Sequence, residues 1–564
     1  MKNNAADLVV FGTIYTAEEE NEGLCEAFAV KDGKFIYAGD RKGAEEYIED
    51  DVTEVIDHTG KGMIIPGCTD GHSHYFGGYG LNTQLPGSNM RYPEALKVLK
   101  EKYEKEQISQ FLSFGWNGSD LSEGRALGKN FAAEIESAAP GIPVVLQDNT
   151  GHNAVCNTTA LKMSGLLENP HVRGGRVDLD AEGKASGYLG DQAVSYVVDR
   201  VIRKPLTKEQ YKEACRAGMN ALLKQGYTNA LDAFINMYDP SALQETLHEM
   251  DEDGEFTLNL AGTYNIKSYE SENFRECVDT VVRLNEKCRS KHFDPAYVKL
   301  FADGVVESAT GWILEEYRNV PEGMEHGNQI WEPEELNELI TYANQNGLTV
   351  HTHTYGDAAV KAVLDAYIAS NKANGKEFRN CLAHVRNITK EDIARTAENH
   401  IPVAENLMWH TDYNENDPRE KASKAYVLSM VPEHLFYEGY PMKSLFDSGI
   451  IVSSSTDAPA AVTFEGNAMN VLEVTVTGIA PHDGANPLAE NELLTIREGL
   501  QALTINGAWQ LGLEKERGSI KEGKYADFVI LDKNVLNYKG AELRTIGDTK
   551  ILSTYFEGKE VYKA

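Results

Sequence analysis

Two histidines one residue apart follow a short apolar run in the segment IIPGCTDGHSHYFGG, residues 64–78. Alternate residues of a β-strand point to the same face, so Asp70, His72 and His74 could share one direction at a strand end. Three side chains with lone pairs that converge in this way would supply about half of the ligands of a metal site. The alternative is a polar turn in which the histidines satisfy backbone groups.

Further groups of this kind lie at or near the ends of later strand-like segments. They are Lys299 in VKLFADG, His351 and His353 in LTVHTHTYG, His384 in CLAHVRN and Asp457 in SSSTDAP. The carboxyl ends of the strands in a parallel barrel open on one face, so these side chains would meet at one mouth. His351 and His353 face the same way and are alternatives as ligands. We favour His353, because it lies nearer the end of the strand.

The segments that position these groups alternate between strand-like and helical patterns. The strand-like runs begin with GMIIPGCTDGHSH and continue at residues 227–234, 256–265, 296–304, 348–356, 378–387, 401–409 and 450–459. About eight strands in a β-then-α order are typical of a closed (β/α)₈ TIM barrel, an α/β fold. A doubly wound open sheet is the alternative, but no GxGxxG motif follows the first strand.

The two ends of the chain are rich in short β-type runs, which predicts a β-sandwich domain formed by residues 1–63 and 515–564. The barrel would then comprise residues 64–74 and 206–514. Residues 75–205 separate the first two barrel strands by far more than an ordinary βα connection, and they carry strand and helix signals of their own. We therefore expect an inserted cap subdomain over the face where barrel active sites lie.

The composition argues against several classes of partner. Of the 564 residues, 54 are Lys or Arg and 87 are Asp or Glu, which gives a net charge of −33. This charge repels phosphate backbones and anionic membranes, so we expect no nucleic-acid and no membrane partner. The N-terminus lacks the apolar core of a signal peptide, and seven cysteines without a CxxC pair fit a reducing cytoplasm. The sequence leaves a homodimer open.

Five motifs resemble those of one enzyme superfamily. DGHSH, HTYGDAAV, AHVRNITKEDIAR, SSSTDAPA and GSIKEGKYADFVILD occur in this order along nearly the whole chain. Together they resemble the amidohydrolase superfamily, and specifically its YtcJ-like branch, which includes N-substituted formamide deformylases. TGHNAVCNTTAL in the insertion is also similar to that branch. The resemblance implies a metal-dependent hydrolase.

The same resemblance implies a set of metal ligands. His72, His74 and Asp457 would bind the more buried divalent metal. His353 and His384 would bind a second, more exposed one. Imidazole and carboxylate ligands suit zinc, with iron or manganese as substitutes, so we expect one or two zinc ions.

The resemblance gives roles to Lys299 and Asp457 as well. Lys299 would bridge two metals if CO₂ carboxylates its amine, because the carbamate supplies a bridging anion that an ammonium cannot. The alternative is a lysine in an ion pair with Asp303. Asp457 would take the proton from a water whose pKa the metal lowers, and would pass it to the leaving amine.

Two residues of the insertion are candidates for substrate contacts. His152 in NTGHNAV could reach the mouth from the cap, and Trp116 in FGWNGSD could line the pocket. The alternatives are a structural histidine of the cap and an aromatic side chain of its core. Asp191 stands where the YtcJ-like branch often has a glutamate, so the substrate specificity of that branch does not transfer.

The predicted function is hydrolysis of an amide or other C–N bond of a small molecule. Related barrels also hydrolyse esters or lactones or deaminate rings, and their metal ligands would look the same. A non-catalytic binding protein is the third hypothesis. It would require the loss of a ligand, which the sequence does not show.

Overall fold

The computed structural model describes most of the chain. The described residues are 5–19, 23–76, 90–121, 124–125, 127–148, 150–202, 206–236, 239, 241–320, 322–458, 466–481 and 486–564. No helix among these residues has the length and apolar character needed to cross a membrane.

Eight parallel strands form the barrel. In chain order they are Cys68–Ser73, Tyr227–Asp232, Asn259–Asn265, Phe293–Phe301, Thr349–Thr354, Cys381–His384, Val403–Glu405 and Val452–Ser454, and each pairs with the next. The first and last strands meet just beyond their ends, where the Asp457 N–H donates to the His72 carbonyl at 2.8 Å. The His74 N–H donates to the Ala458 carbonyl, also at 2.8 Å. The predicted barrel is therefore confirmed, and it is nearly closed.

Along each barrel strand, side chains point alternately into the barrel and outward to the surrounding helices. On the fourth strand, Val298 packs outward against helix residues such as Leu339. Tyr297 packs with Leu511 inside the barrel, and its hydroxyl donates to the Leu511 carbonyl at 3.3 Å. Alternation then places Lys299 on the inner face, two residues nearer the mouth.

Helices follow the barrel strands and cover them. They are Lys208–Lys224, Ala242–Glu252, Phe274–Cys288, Pro333–Gln345, Asp357–Asn374, Lys390–Glu398, Pro418–Met430, Glu433–Tyr437, Met442–Asp447, Ala468–Thr477, Ile496–Gln501 and Gly507–Gln510, with a π-helical turn at Ala502–Asn506. The first begins at a capping box, in which the Thr207 side chain accepts from the Gln210 N–H and the Gln210 side chain accepts from the Thr207 N–H. Short 3₁₀ turns occur at Ser268–Asn273, Val306–Ser308, Leu407–Trp409, Glu490–Glu492, Val535–Asn537 and Gly540–Thr545.

Both ends of the chain contribute to one mixed sheet of eight strands. The strands are Leu8–Tyr15, Leu24–Lys31, Lys34–Gly39, Glu54–Asp57, Met63–Pro66, Phe528–Leu531, Ile551–Phe556 and Lys559–Lys563, and the helix Arg41–Glu45 follows the third. Met63–Pro66 joins the two ends, because it pairs with Leu8–Tyr15 on one side and with Phe528–Leu531 on the other. The rings of Phe528 and Tyr555 stack 4.3 Å apart in its core. The predicted shared domain of the two termini is confirmed as this sheet.

The apolar run before the first histidine is divided between two sheets. Met63–Pro66 belongs to the mixed sheet, and the barrel strand begins at Cys68. Between them, the Gly67 N–H donates to the carbonyl of Asp527, the residue before the strand Phe528–Leu531 of the terminal sheet. A Cβ atom on Gly67 would lie 2.1 Å from Oγ1 of Thr228, so this crossing requires glycine. The domain boundaries given above stay a prediction.

The segment between the first two barrel strands contains a sheet of its own. Its five strands lie in the order Gly175–Leu179, Ala185–Asp191, Asn153–Cys156, Val144–Asp148 and Phe111–Trp116. The accompanying helices are Tyr92–Glu106, Phe131–Ala138, Thr158–Ser164 and Gln192–Val201, with a 3₁₀ turn at Gly118–Leu121. We call this part of the chain the cap.

Candidate metal centre

His72, His74 and Asp457 lie together where the first and eighth barrel strands end. Oδ1 of Asp457 is 3.3 Å from Nε2 of His72 and 3.0 Å from Nε2 of His74. Each residue offers one ligand atom, and the three atoms all lie within 4.8 Å of one another. His72 and Asp457 are buried. The three side chains therefore converge as the alternation in the sequence predicts for the two histidines.

The backbone takes an unusual conformation at two of the predicted ligands. The φ angle is +54° at Asp457 and +77° at His384. Residues with a Cβ atom rarely adopt this left-handed region, and they retain it mainly where the surrounding structure imposes it. At both positions the strand has just ended, so the conformation redirects the side chain at the mouth.

Lys299, His353 and His384 lie in the same group of side chains. Nζ of Lys299 is 3.3 Å from Nε2 of His72. The ring of His384 is centred 4.5 Å from that of His72 and 4.6 Å from that of His353. The structure thus brings together all six residues that were predicted as ligands.

Burial and neighbouring charges set the protonation of these groups. Burial lowers the pKa of His72 and His353 well below the usual value, and the nearby Lys299 lowers both further. Burial also lowers the pKa of His384 to about 3 and that of Lys299 to about 7. Imidazoles of this kind are neutral at pH 7, which is the form that binds metal ions.

Asp457 keeps its charge in the same surroundings. Burial alone would raise its pKa, but hydrogen bonds from His72 and His74 outweigh burial and hold the pKa well below its usual value. The site therefore contains one carboxylate anion beside two imidazole nitrogens.

Two side chains orient the histidine rings from behind. Nε2 of His351 and Nδ1 of His72 share a hydrogen bond of 2.7 Å, which leaves Nε2 of His72 facing Asp457. Oδ1 of Asn406 is 2.5 Å from Nδ1 of His384 and accepts its N–H. This fixes the tautomer of His384, with the lone pair on Nε2. His351 therefore supports a ligand, which agrees with our preference for His353 at the mouth.

Asp303 is not the partner of Lys299 among the described residues. Its carboxylate accepts backbone N–H groups of Trp312, Tyr355 and Gly356 at 2.8–2.9 Å. It thus ties the loop after the fourth strand to the loop after the fifth. The alternative of a Lys299–Asp303 ion pair is wrong, because backbone groups already surround the carboxylate.

The cap brings His152 to the barrel mouth. Its ring is centred 4.8 Å from that of His353. Nδ1 of His152 lies 3.0 Å from Oδ1 of Asp191, and Nδ2 of Asn328 donates to the other carboxylate oxygen at 2.9 Å. Burial lowers the pKa of His152, but Asp191 more than reverses this and the net shift is upward. His152 thus lies beside His353 at the mouth, and its role as a substrate contact stays a prediction.

Two other residues named from the sequence lie elsewhere. Trp116 is 0% exposed in the core of the cap, and its indole N–H donates to the Leu146 carbonyl at 3.0 Å. Its ring packs against Tyr92 within the apolar core of the cap, so the proposed pocket contact of Trp116 is corrected to a packing role. Asp70 accepts hydrogen bonds from the N–H and hydroxyl of Thr456 at 3.0 and 2.6 Å, and it joins the two strands beneath the ligands.

Sequence reasoning missed Asn406 as a supporting residue. It directly follows the seventh strand, Val403–Glu405. The one sequence signal for this role is its position directly after a barrel strand, because asparagine belongs to none of the motifs that predict metal ligands.

The donor set at the mouth fits a divalent cation. Two imidazoles and a carboxylate are ligands that zinc and related ions take in proteins. Nε2 of His72 and Nε2 of His74 reach the same oxygen of Asp457, as they would around a shared centre. His72, His74 and Asp457 could therefore hold a metal ion.

Comparison with known proteins identifies the family. A family model described as "Amidohydrolase family" matches residues 54–562. The match covers most of the chain, so the protein belongs to the amidohydrolase family. It is 26% identical to YtcJ of Bacillus subtilis (strain 168) over 98% of each chain. It is 24% identical to N-substituted formamide deformylase of Arthrobacter pascens, over 98% of this chain and 97% of that one. The resemblance predicted from the motifs is confirmed.

Solved structures share the fold. An uncharacterized metal-dependent hydrolase from Pyrococcus horikoshii OT3 superposes with a TM-score of 0.69 at 20% identity, over 94% of this chain and 98% of that one. One from Pyrococcus furiosus gives a TM-score of 0.65 at 21% identity, over 94% and 100%. At these identities the likeness shows the fold alone.

Proposed function

We propose that the protein hydrolyses an amide or other C–N bond of a small molecule and that it depends on a divalent metal. The observation that carries the proposal is the convergence of His72, His74 and Asp457 at the C-terminal mouth of the barrel. Active sites of such barrels lie on this face. The relative named N-substituted formamide deformylase supports the choice of a C–N bond.

The proposed ligands divide into two groups. His72, His74 and Asp457 hold the first divalent ion, for which zinc is the proposed metal. His353 and His384 hold a second ion, and Nε2 of His384 is the ligand atom because Nδ1 is bonded to Asn406. The rings of His353 and His384 lie 4.6 Å apart, which supports this pair, and the ring of His384 also lies 4.5 Å from that of His72, so the two groups adjoin.

Lys299 has the position of a bridge in this proposal. Its Nζ lies 3.3 Å from the ligand atom of His72 and it is 0% exposed. Its carboxylation by CO₂ would supply a bridging anion. Mass spectrometry of the intact protein under native conditions checks this step, since a carbamate adds the mass of CO₂.

When bound, the metal would lower the pKa of water in the site towards ~7 and polarise the scissile carbonyl. Asp457 accepts the proton of the attacking water, because its carboxylate is ionised and lies at the mouth. It then donates this proton to the leaving nitrogen. His152 contacts the substrate from the cap side, held in place by Asp191.

The test is a panel of small substrates assayed with protein purified without chelators. The panel contains amides, esters, lactones and amino-substituted rings. We expect an amide to give the highest kcat/KM, with activity lost on chelation and restored by zinc. Fastest turnover of an ester or a lactone would contradict cleavage of a C–N bond, and fastest turnover of a ring amine would contradict the choice of an amide. Chelator-resistant activity would contradict the metal.

A further inference from the structure

Asn265 is the last residue of the third barrel strand and pairs in register with Lys299 of the fourth. Paired residues of neighbouring strands point to the same face of a sheet. Lys299 is on the inner face, because its Nζ lies 3.3 Å from Nε2 of His72. The carboxamide of Asn265 is therefore inside the barrel, at the mouth, beside the proposed metal ligands.

The backbone of Asn265 is held firmly, whereas its side chain has no partner. The Asn265 N–H donates to Oδ1 of Asn236 at 2.7 Å, and the Asn265 carbonyl accepts from Nδ2 of Asn236 at 3.1 Å. Asn265 is 1% exposed, and neither its Oδ1 nor its Nδ2 has a hydrogen-bond partner among the described residues. A fixed strand end thus presents a buried carboxamide with both of its hydrogen-bonding groups free.

A carboxamide in this state destabilises the fold unless something binds it. A leucine of similar size would fill the same space without leaving polar atoms unpaired. Polar groups that are unsatisfied in a native protein call for a specific explanation, and a catalytic role is one of the common ones. A carboxamide has an acceptor oxygen and N–H donors, so it matches a ligand that carries both an N–H and an oxygen. An amide has both, whereas an ester lacks the N–H.

We propose that Asn265 binds the substrate and selects amides over esters. Its Oδ1 accepts a hydrogen bond from the N–H of the scissile amide, and its Nδ2 donates to an oxygen of the same substrate. The inference rests on the proposed hydrolysis of a C–N bond. It narrows the substrate class to primary or secondary amides, in which the nitrogen carries a hydrogen.

The test uses three probes that share an acyl and an aryl group. They are 4-nitroacetanilide, its N-methyl derivative and 4-nitrophenyl acetate. The same set of three is repeated with formyl in place of acetyl. In Asn265→Leu we expect kcat/KM for the N–H amide to fall about tenfold to hundredfold, because its N–H loses a partner in a buried site. We expect a clearly smaller fall for the ester and the N-methyl amide, which have no N–H to lose and lose only the contact of an oxygen with Nδ2.

A matched control lies on the same strand. Thr263 is two residues before Asn265, and its Oγ1 is also buried without a partner among the described residues. Thr263→Val should leave all three rates unchanged, because this residue lies deeper in the barrel. We also expect Asn265→Leu to melt no lower than the wild type and to keep its bound metal, since the removed group has no partner within the described protein.

The outcomes separate the two proposals. If metal-loaded wild-type protein hydrolyses no amide, neither in this set nor in the panel, the proposed function fails, and this inference fails with it. If it hydrolyses only a panel amide, that amide with its N-methyl and ester analogues takes the place of the three probes. If it hydrolyses the amide and Asn265→Leu keeps amide and ester rates in the same proportion, only the inference fails. Loss of metal in Asn265→Leu, or failure of both Asn265→Leu and Asn265→Ala to fold, would show a structural role and would also overturn it.

Discussion

Replacing Asp457 by asparagine removes the proposed proton acceptor and leaves the shape of the site. Nε2 of His72 and Nε2 of His74 both reach Oδ1 of Asp457, at 3.3 and 3.0 Å. Asparagine keeps this oxygen, so the two histidines retain their neighbour. It replaces Oδ2 by an NH₂ group that accepts no proton.

The expected magnitude follows from the loss of a general base, which typically costs ~10²–10⁴ in rate. At about 1.4 kcal/mol for each tenfold, this raises the barrier by about 3–5 kcal/mol. We therefore expect kcat of Asp457→Asn to fall at least about a hundredfold when zinc is present in excess. The rate is measured on the best amide of the panel, and bound zinc is measured on the same sample.

Asp70→Asn is the matched control for this variant. Asp70 is also a buried aspartate of the closing strands, but its oxygens accept from Thr456 and lie beneath the ligands. We expect Asp70→Asn to lower the melting temperature and to leave kcat close to that of the wild type. A near-normal kcat in Asp457→Asn with zinc bound would refute the reasoning, because another group would then have to move the proton.

Two further predictions concern residues that support the site and the fold. Asn406→Leu removes the acceptor that orients His384. Zinc affinity, measured by competition titration, should therefore fall by about 10–100-fold. An unchanged affinity would contradict this. The ring nitrogens of His292 lie 2.7 Å from Asp251 and 3.1 Å from Glu557. Burial lowers the pKa of His292, but these two carboxylates outweigh burial and raise the pKa above 6.5. Its stabilising effect is thus complete below about pH 6.5 and is lost as the pH rises through the raised value. Urea unfolding midpoints should fall more between pH 6 and pH 9 in the wild type than in His292→Gln, and equal falls would refute this.

Much of the barrel was predictable because strand ends and polar residues coincide in the sequence. His72 and His74, and later His353, follow apolar or β-branched runs, and each was expected at the mouth of the barrel. The structure places them there, since alternation on a strand is a short-range property that the sequence records directly. The same property predicted that His351 and His353 face one way.

The rest of the fold depends on contacts that a single sequence does not reveal. The run Met63–Pro66 is apolar in either sheet, and its assignment to the terminal sheet depends on pairing with Phe528–Leu531 at the far end of the chain. Trp116 is the last residue of a cap strand, and the packing of the cap buries it.

The supporting residues of the site were not predictable for a related reason. Asn265 and Asn406 are common polar residues that belong to no spacing rule, and their roles appear only when the neighbouring strands are in place. The positive φ angles at His384 and Asp457 are likewise visible only in the structure, because most Asp and His residues have a negative φ and the sequence does not mark the exceptions. Asparagines at the carboxyl ends of barrel strands are the signal that could have been used.

The central claim is that His72 and His74, with Asp457, hold a metal ion that hydrolysis requires. The most direct measurement is the zinc content of the wild type, His72→Ala and His74→Ala after dialysis against trace zinc, with His248→Ala as a control on the outer helix Ala242–Glu252. We predict at least about one zinc per chain in the wild type and in His248→Ala, and a large loss of zinc in both site variants. The melting temperature of the site variants should change little, because the barrel core lies beneath the ligands. Equal zinc in all four proteins, or a wild type that binds none, would contradict the account.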